Sequence, residues 1–420
     1  MNNTKFLSEI LQSFPSDLNS ISNKELYSKV ATKTQTPSFV ANNKAECTKD
    51  GKVHNLFNRK VRWAMQTLKA DGAITSDSRG FWRLTQDGKQ TLTTIVVNKH
   101  MVAASTDLGV VIWGDSTNVF NDVIEEDIHL CFTSAPYLGI KRSYGTHQDE
   151  ADYIDFILSV LEPVRKRMVK GANLVLNVTN DSILKKSFGE RSLYLEKLII
   201  SMSEKLELHL MDRLPWYAAD KSPKGYQVTH ARTHLTSRYE PVLWFCNEPE
   251  FCLADNRRVL EPYKAQMKRI IEAGGEKSNR VASDYQTNSK KGGFSTDNGG
   301  SIPSNVLNFP TNCANNRAVI KNARSMGLPT HGALFPQALA EHIIKWMCPP
   351  GGLVHDPFGG YSTTGAAAEK LGMNWRTVEL HWEYVRASLV RFEKYKGYEV
   401  NPELRIFDDL IMPGNRFYAN

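Results

Sequence analysis

The sequence predicts an α/β fold: a sheet with helical crossovers, preceded by a small helix-and-hairpin module and interrupted by a long loop-rich insert. Three observations carry this. Strand-like apolar runs at 108–115, 127–134, 172–179 and 240–247 alternate with helical stretches at 150–168 and 191–206, the pattern that parallel crossovers require. After residue 332 the rhythm resumes as helix 336–348, strand 352–356, helix 362–372, strand 374–379 and helix 382–396. Ahead of both, stretches 23–31 and 55–74 have helical spacing, with Leu56, Val61, Met65 and Leu68 on one face, and 76–90 alternates around Gly80 as a hairpin does.

A chain of 420 residues, 41% hydrophobic and 23% charged, has room for two or three compact units. No run reaches the roughly 18 to 20 apolar residues of a membrane helix. The opening MNNTKFLSEILQSF lacks the basic, apolar, small-residue order of a secretion signal, so a cytoplasmic protein is expected. A net charge of +7 permits an acidic polymer as partner. The six cysteines show neither a C-x-x-C pair nor zinc spacing; they read as reduced thiols, and no metal is expected.

Helices followed by a small hairpin make a winged helix. Arg59, Lys60 and Arg62 fall on the helix before the wing, and Arg79 and Arg83 flank the hairpin, an arrangement suited to a groove and a phosphate backbone. A solvated basic face on a docking module is the plainer alternative. Residues 251–330 break the α/β rhythm. Stretch 283–316 is rich in Gly, Asn, Ser and Thr, and from Asn256 to Ser325 twelve basic residues face five acidic ones. A basic insert of this length suits a nucleic-acid reader. The predicted division is therefore 1–95, an accessory module; 105–250 and 331–420, two halves of one α/β unit; and 251–330, a recognition region between them.

Two strand ends carry the chemistry. In CFTSAPYLGI (131–140) an apolar strand stops at a hydroxyl, a proline-stiffened turn and one aromatic residue, and parallel sheets bind ligands at such ends. In GGLVHDPFGGYSTTG (351–365) a strand runs into Asp356, then a glycine turn, then a helix, and Glu379 closes the next strand. On spacing alone this is a nucleoside-binding βαβ unit, with a carboxylate placed for a ribose diol. The dinucleotide pattern G-x-G-x-x-G is absent, which disfavours NAD; an adenosine carrying a small zwitterionic group fits better.

These residues carry a resemblance. DPFGGYSTTG is similar to the D-P-F-x-G-x-G-T-T motif, and TSAPY to the T-S-P-P-Y motif, of S-adenosylmethionine-dependent DNA methyltransferases that act on exocyclic amines. VIWGDS (111–116), YEPVLWF (239–245), DNGGSIPSNVLNFP (297–310) and THGALFPQALAEHII (330–344) resemble further segments of that family in its order. The catalytic motif lies 222 residues before the cofactor motif, the order of the beta class. The resemblance implies a Rossmann-like mixed sheet of seven strands, S-adenosylmethionine as cofactor, duplex DNA as partner, and base flipping; a companion restriction endonuclease is a possibility it opens. Ser134, Ala135, Pro136 and Tyr137 would be catalytic. The Ser134 hydroxyl and Ala135 carbonyl would accept hydrogen bonds from the amine, and Tyr137 would stack on the flipped base. Asp115, Phe335, Pro336, Asp356, Phe358, Gly360, Thr363, Thr364 and Glu379 would form the cofactor site.

A lone hydroxyl in place of Asp is the pattern of cytosine-N4 members, so N4-methylation of cytosine is the expected activity. N6-methylation of adenine is the runner-up, and a DNA-binding protein with a decayed catalytic fold the alternative from another class. Ala135 stands where the family has its first proline, and Tyr361-Ser362 where it has a small residue and glycine; Tyr361 would crowd the methionine end or point to solvent. Cys348-Pro349 has the reverse order of the Pro-Cys nucleophile of C5 methylation and reads as a turn.

Overall fold

The computed structural model describes residues 9–15, 19–34, 36–46, 53–70, 73–78, 80–85, 100–117, 119, 127–139, 149–180, 189–279, 290–328 and 330–402. Arg79, Cys47 and the 280–289 part of the insert lie outside the described residues, as does the side chain of Arg59.

The N-terminal module contains β1 (Ile21–Ser22), α1 (Asn23–Lys33), α2 (Ser38–Ala41), β2 (Lys44–Glu46), β3 (Val53–Asn55), α3 (Leu56–Ala70), β4 (Ile74–Ser78) and β5 (Phe81–Leu84). Strands β4 and β5 form the expected hairpin, and β1 adds antiparallel to β5. Ser22 caps α1 by accepting from the Glu25 amide. Val61, Met65 and Leu68 of α3 pack on Leu26, Val30, Ile74 and Leu84 in a core of their own, since apolar residues at three- and four-residue spacing share one helix face. Lys60 and Arg62 are exposed on α3. Arg83 is engaged, its Nε 2.6 Å from Asp77 Oδ1 across the wing.

The α/β unit follows as β6 (Met101–Ser105), β7 (Gly109–Trp113), β8 (Ile128–Ser134), α4 (Glu150–Arg167), β9 (Met168–Asn177), α5 (Tyr194–Leu206), β10 (His209–Tyr217), α6 (Tyr226–Thr229), β11 (Tyr239–Cys246), α7 (Ala265–Glu272), β12 (Leu307–Asn308), α8 (Ala314–Ser325), α9 (Gln337–Met347), β13 (Leu353–Asp356), α10 (Thr363–Lys370), β14 (Asn374–Glu379), α11 (Trp382–Ser388) and β15 (Glu399–Val400). Among the described residues the sheet has ten strands in the order β12-β10-β11-β9-β8-β13-β14-β7-β6-β15. The central seven, β10 to β7, form the expected mixed sheet, which β12 extends on one side and β6 and β15 on the other. Strands β9, β8, β13, β14 and β7 run parallel, while β11 and β6 are antiparallel to their neighbours.

Parallel strands covered on both faces are apolar where they cross the core: residues 130–132 of β8, 174–176 of β9 and 353–354 of β13 are buried and apolar, while Ser134, Asn177 and Asp356 close the three strands. One core lies on the α9, α10 and α11 face, with Phe132, Val354 and Trp375; the other, with Cys131, Leu174 and Leu176, lies under α4 and α5. Helix α4 starts where Asp149 accepts from the Ala151 and Asp152 amides, and ends in Arg165, Lys166 and Arg167, complementing its dipole. The helix expected over 382–396 stops at Ser388, followed by a 3-10 turn over Leu389–Arg391. That turn sends the Arg391 guanidinium inward to Asn316 and Thr363. Inside the insert, α7, β12 and α8 interrupt what the sequence shows only as loop.

Candidate active site

The chain leaves β8 toward β9 through α4, and leaves β13 toward β14 through α10. These crossovers diverge on the two sides of the β8/β13 pair, and the crevice at such a reversal is where open α/β sheets bind ligands. Ser134, Asn177, Asp356 and Glu379 all terminate parallel strands at this edge.

Two cavities open there and meet at Tyr137 and Ala333. The first, about 240 Å³, is lined by Asp115, Ser134, Ala135, Pro136, Tyr137, Phe358, Gly360 and Glu379, together with Phe156, His331, His381 and Tyr384. The second, about 460 Å³, is lined by Tyr137, Trp216, Lys221, Lys224, Glu240 and Phe335 among others.

At the β8 end, Ser134 and Asn177 are register partners. Ser134 Oγ donates to Asn177 Oδ1 at 3.1 Å, and Asn177 Nδ2 donates to the Pro241 carbonyl at 3.2 Å. The Pro241 carbonyl thereby fixes which end of the amide faces Ser134. Tyr137 Oη donates to Glu240 Oε2 at 2.6 Å and lies 3.3 Å from Asn177 Oδ1. Glu240 in turn holds Lys221 Nζ at 2.5 Å. Burial, and then the Glu240 charge, push the Tyr137 phenol well above its ordinary pKa, so it remains a donor. Ala135 is buried at the turn, and its carbonyl is present whichever residue stands there.

At the β13 end, Asp356 is buried and does not line either cavity. Its Oδ1 accepts from Thr133 Oγ1 at 2.6 Å and from the Phe358 amide at 3.0 Å. Desolvation raises its pKa to about 6, against the lowering effect of those bonds. It therefore shapes the turn from beneath. Gly360, at φ +52°, donates its amide to Glu379 Oε2 at 2.8 Å, and the His381 amide donates to Glu379 Oε1 at 2.8 Å. Burial lifts the Glu379 carboxyl to about 7. Gly365 is required by contact: a Cβ there would meet the Trp375 ring at 2.9 Å.

Tyr361 neither crowds the cavity nor reaches solvent. It is buried, its hydroxyl accepts from the His331 amide at 3.1 Å, and its ring meets Tyr384 edge-on at 5.5 Å. Thr363 and Thr364 are also buried beneath the turn, bonded to Arg391 and to the Phe132 carbonyl. Phe335 lies against Phe132 and faces the second cavity, while Pro336 caps α9. The structure thus brings eight of the thirteen expected residues to the first cavity, with Asp115 exposed at its rim. Asp356, Thr363 and Thr364 are buried beneath its turn, Pro336 stands at the start of α9, and Phe335 walls the neighbouring space. The sequence assigns no role to Asn177, Lys221, Glu240, Phe156, His381 or Tyr384. The one signal for Asn177 and Glu240 was their place at strand ends. Among the described residues, no cluster of His, Cys, Asp and Glu could hold a metal, and no helix is long and apolar enough to cross a membrane.

A DNA methylase family model matches residues 128–390, and an Mrr N-terminal domain model matches residues 4–94. The type II methyltransferase M.PvuII of Proteus hauseri is 31% identical over 297 residues, 69% of this chain and 85% of that protein. The DNA adenine methyltransferase YhdJ of Escherichia coli (strain K12) is 25% identical over 291 residues, 69% of this chain and 84% of that protein. The solved structure described as PvuII DNA methyltransferase (cytosine-N4-specific) superposes with a TM-score of 0.54 at 26% identity, covering 75% of this chain and 94% of that one. With its two motif-bearing strand ends converging on one cavity and these matches spanning most of its length, the chain belongs to the family of DNA methylases that modify exocyclic amines at N6 or N4.

Proposed function

We propose that this protein is a site-specific DNA methyltransferase that moves a methyl group from S-adenosylmethionine to the N4 amine of cytosine extruded from duplex DNA. The observation that carries this reading is the Ser134 hydroxyl, held by Asn177 at the edge of the cavity that also contains the glycine turn and Glu379. The cytosine-N4 activity named for the PvuII structure supports the choice of base.

The first cavity fits the cofactor. Glu379 offers an ionisable carboxylate for a ribose diol, Gly360 leaves the turn open, and Phe156 and Phe358, with rings 5.7 Å apart, offer flat apolar walls for an adenine. S-adenosylmethionine supplies an electrophilic methyl carbon beside a sulfonium. The protein's task is to make a poor nucleophile better and to align it. The amine's lone pair is delocalised into the ring, and accepting its hydrogens at Ser134 Oγ and the Ala135 carbonyl localises that pair on nitrogen. Asn177 Oδ1 accepts the Ser134 hydrogen bond, which turns the hydroxyl's lone pairs toward the incoming amine. Because Asn177 cannot titrate, the pair orients and accepts hydrogen bonds, and the proton that the methylated amine must shed leaves to solvent. Tyr137, tied down by Glu240, offers a fixed ring to the extruded base and offsets part of an unstacking cost of a few kcal/mol. Orientation then supplies much of the acceleration.

The N-terminal module, through Lys60 and Arg62, and the insert within 251–330 are the further DNA contacts in this reading. The protein works in the cytoplasm, and a restriction endonuclease of the same sequence specificity is the partner implied by the type II relatives. Incubation of duplex DNA with the protein and methyl-labelled S-adenosylmethionine tests the reading. Label should enter DNA at one sequence, and single-molecule sequencing of DNA from expressing cells should mark the same sites; absence of transfer to any duplex would overturn it.

A further inference from the structure

The connection between β10 and β11, residues 218–238, is not part of the insert to which the sequence assigns recognition. Three features set it apart. Leu235, at 91% exposure, protrudes furthest of the large apolar side chains among the described residues. It does so from an ordered base: the Thr233 and His234 amides donate to the Gln227 carbonyl at 2.9 and 3.3 Å, and His234 Nε2 sits 3.0 Å from the Gly189 carbonyl. The segment has four Lys or Arg and a single acidic residue, Asp220. That acid is committed to the Thr311 hydroxyl and the Thr311 and Asn312 amides. Lys224, Arg232 and Arg238 are all exposed. The foot of the segment, at Lys221, Lys224 and Ser237, lines the second cavity, whose inner wall is Tyr137.

A single exposed leucine on a protein surface is ordinary. Here its place makes the argument, for Leu235 is two residues from Ser237 and so within about 7 Å of the cavity rim by chain geometry. An apolar tip on a cationic base beside a pocket for an extruded nucleotide has the chemistry of a side chain that enters the base stack. Resting on the methyltransferase reading, we propose that the β10–β11 connection holds the duplex open. Leu235 fills the gap left in the stack by the departed base, and Lys224, Arg232 and Arg238 grip the phosphates on either side. With four Lys or Arg against the one acid, the segment carries a net positive charge toward the DNA.

The test compares Leu235→Ala with the parent protein on two duplexes of the same sequence, one with the target cytosine paired to guanine and one with it opposite a mismatch. A mismatched base costs least to extrude. The variant should lose about tenfold or more of kcat on the paired duplex and less than about threefold on the mismatched one, with S-adenosylmethionine affinity by calorimetry unchanged and Leu235→Met restoring most of the loss. Lys224→Ala should lower the slope of log affinity against log salt by about one, whatever the DNA sequence. A Leu235→Ala variant that matches the parent on paired DNA, or that loses equally on both duplexes, overturns the proposal. A parent that methylates neither duplex overturns the methyltransferase reading and this proposal with it.

Discussion

Thr133 donates its hydroxyl to Asp356 Oδ1 at 2.6 Å, a buried bond between the residue that precedes the proposed catalytic hydroxyl and the one that opens the proposed cofactor turn, 223 positions apart. Two neighbouring parallel strand ends are thereby clamped together, and the two motifs share one rigid floor. Thr133→Val keeps the volume but removes the donor. It should destabilise the protein by about 1–3 kcal/mol, read as a lower Tm, and weaken S-adenosylmethionine binding by calorimetry more than it slows kcat at saturating cofactor. Asp356→Ala should weaken cofactor binding before anything else.

Ser134→Ala should leave S-adenosylmethionine affinity intact while kcat falls by about 10² to 10³, the scale for removing one positioned hydrogen-bonding group from an active site. Asn177→Ala leaves the hydroxyl in place but free to rotate, so a smaller loss in kcat, about tenfold, with unchanged KM for DNA is expected. Single-turnover kinetics with both variants check this. Ser134→Ala turnover equal to that of the parent would refute the role given to the hydroxyl.

Glu379 gives a pH dependence. Its carboxyl titrates at about 7 in the fold, lifted first by burial. Ionised, it accepts from Gly360 and His381 and has lone pairs left for a diol; protonated, it loses acceptor capacity. Affinity for S-adenosylmethionine should therefore rise as pH increases through about 7 and level off above it. Stability moves the other way. A carboxyl whose folded pKa exceeds its unfolded value binds more protons in the native state, so the Glu379 and Asp356 contributions decline as pH rises from about 4 to about 7. Glu379→Gln should flatten the affinity profile at a lower plateau. Calorimetric titration across pH 5.5 to 8.5 measures both effects.

Tyr361→Phe removes the acceptor of the His331 amide while keeping the ring against Tyr384. A loss of about 1 kcal/mol in stability is expected, with a few-fold weaker hold on S-adenosylmethionine, because His331 lines the cavity proposed to hold it. Equal cofactor affinity in variant and parent would show that this tether serves the fold alone.

What could be read in the sequence was whatever is local. The turn after Asp356 and the strand ends at Ser134 and Glu379 are short motifs whose chemistry and geometry coincide, and they fall where the motifs put them. Strand β10 escaped because HLMDRLPWY is interrupted by charge and by Pro215, which in the sheet faces Pro241 in register; neither proline can donate to a ladder. The tether Asn177–Tyr137–Glu240–Lys221 joins four segments spread over more than a hundred residues, and no spacing rule connects them. The ambiguity at Tyr361 was one of direction: only packing shows the ring turning inward to hold the His331 segment.

The most direct measurement is mass analysis of nucleosides released from duplex DNA after treatment with the protein and S-adenosylmethionine. The account predicts N4-methyldeoxycytidine as the product, and its near-disappearance when Ser134→Ala is used under the same conditions. Finding N6-methyldeoxyadenosine alone, or an undiminished yield from the Ser134→Ala variant, would contradict it.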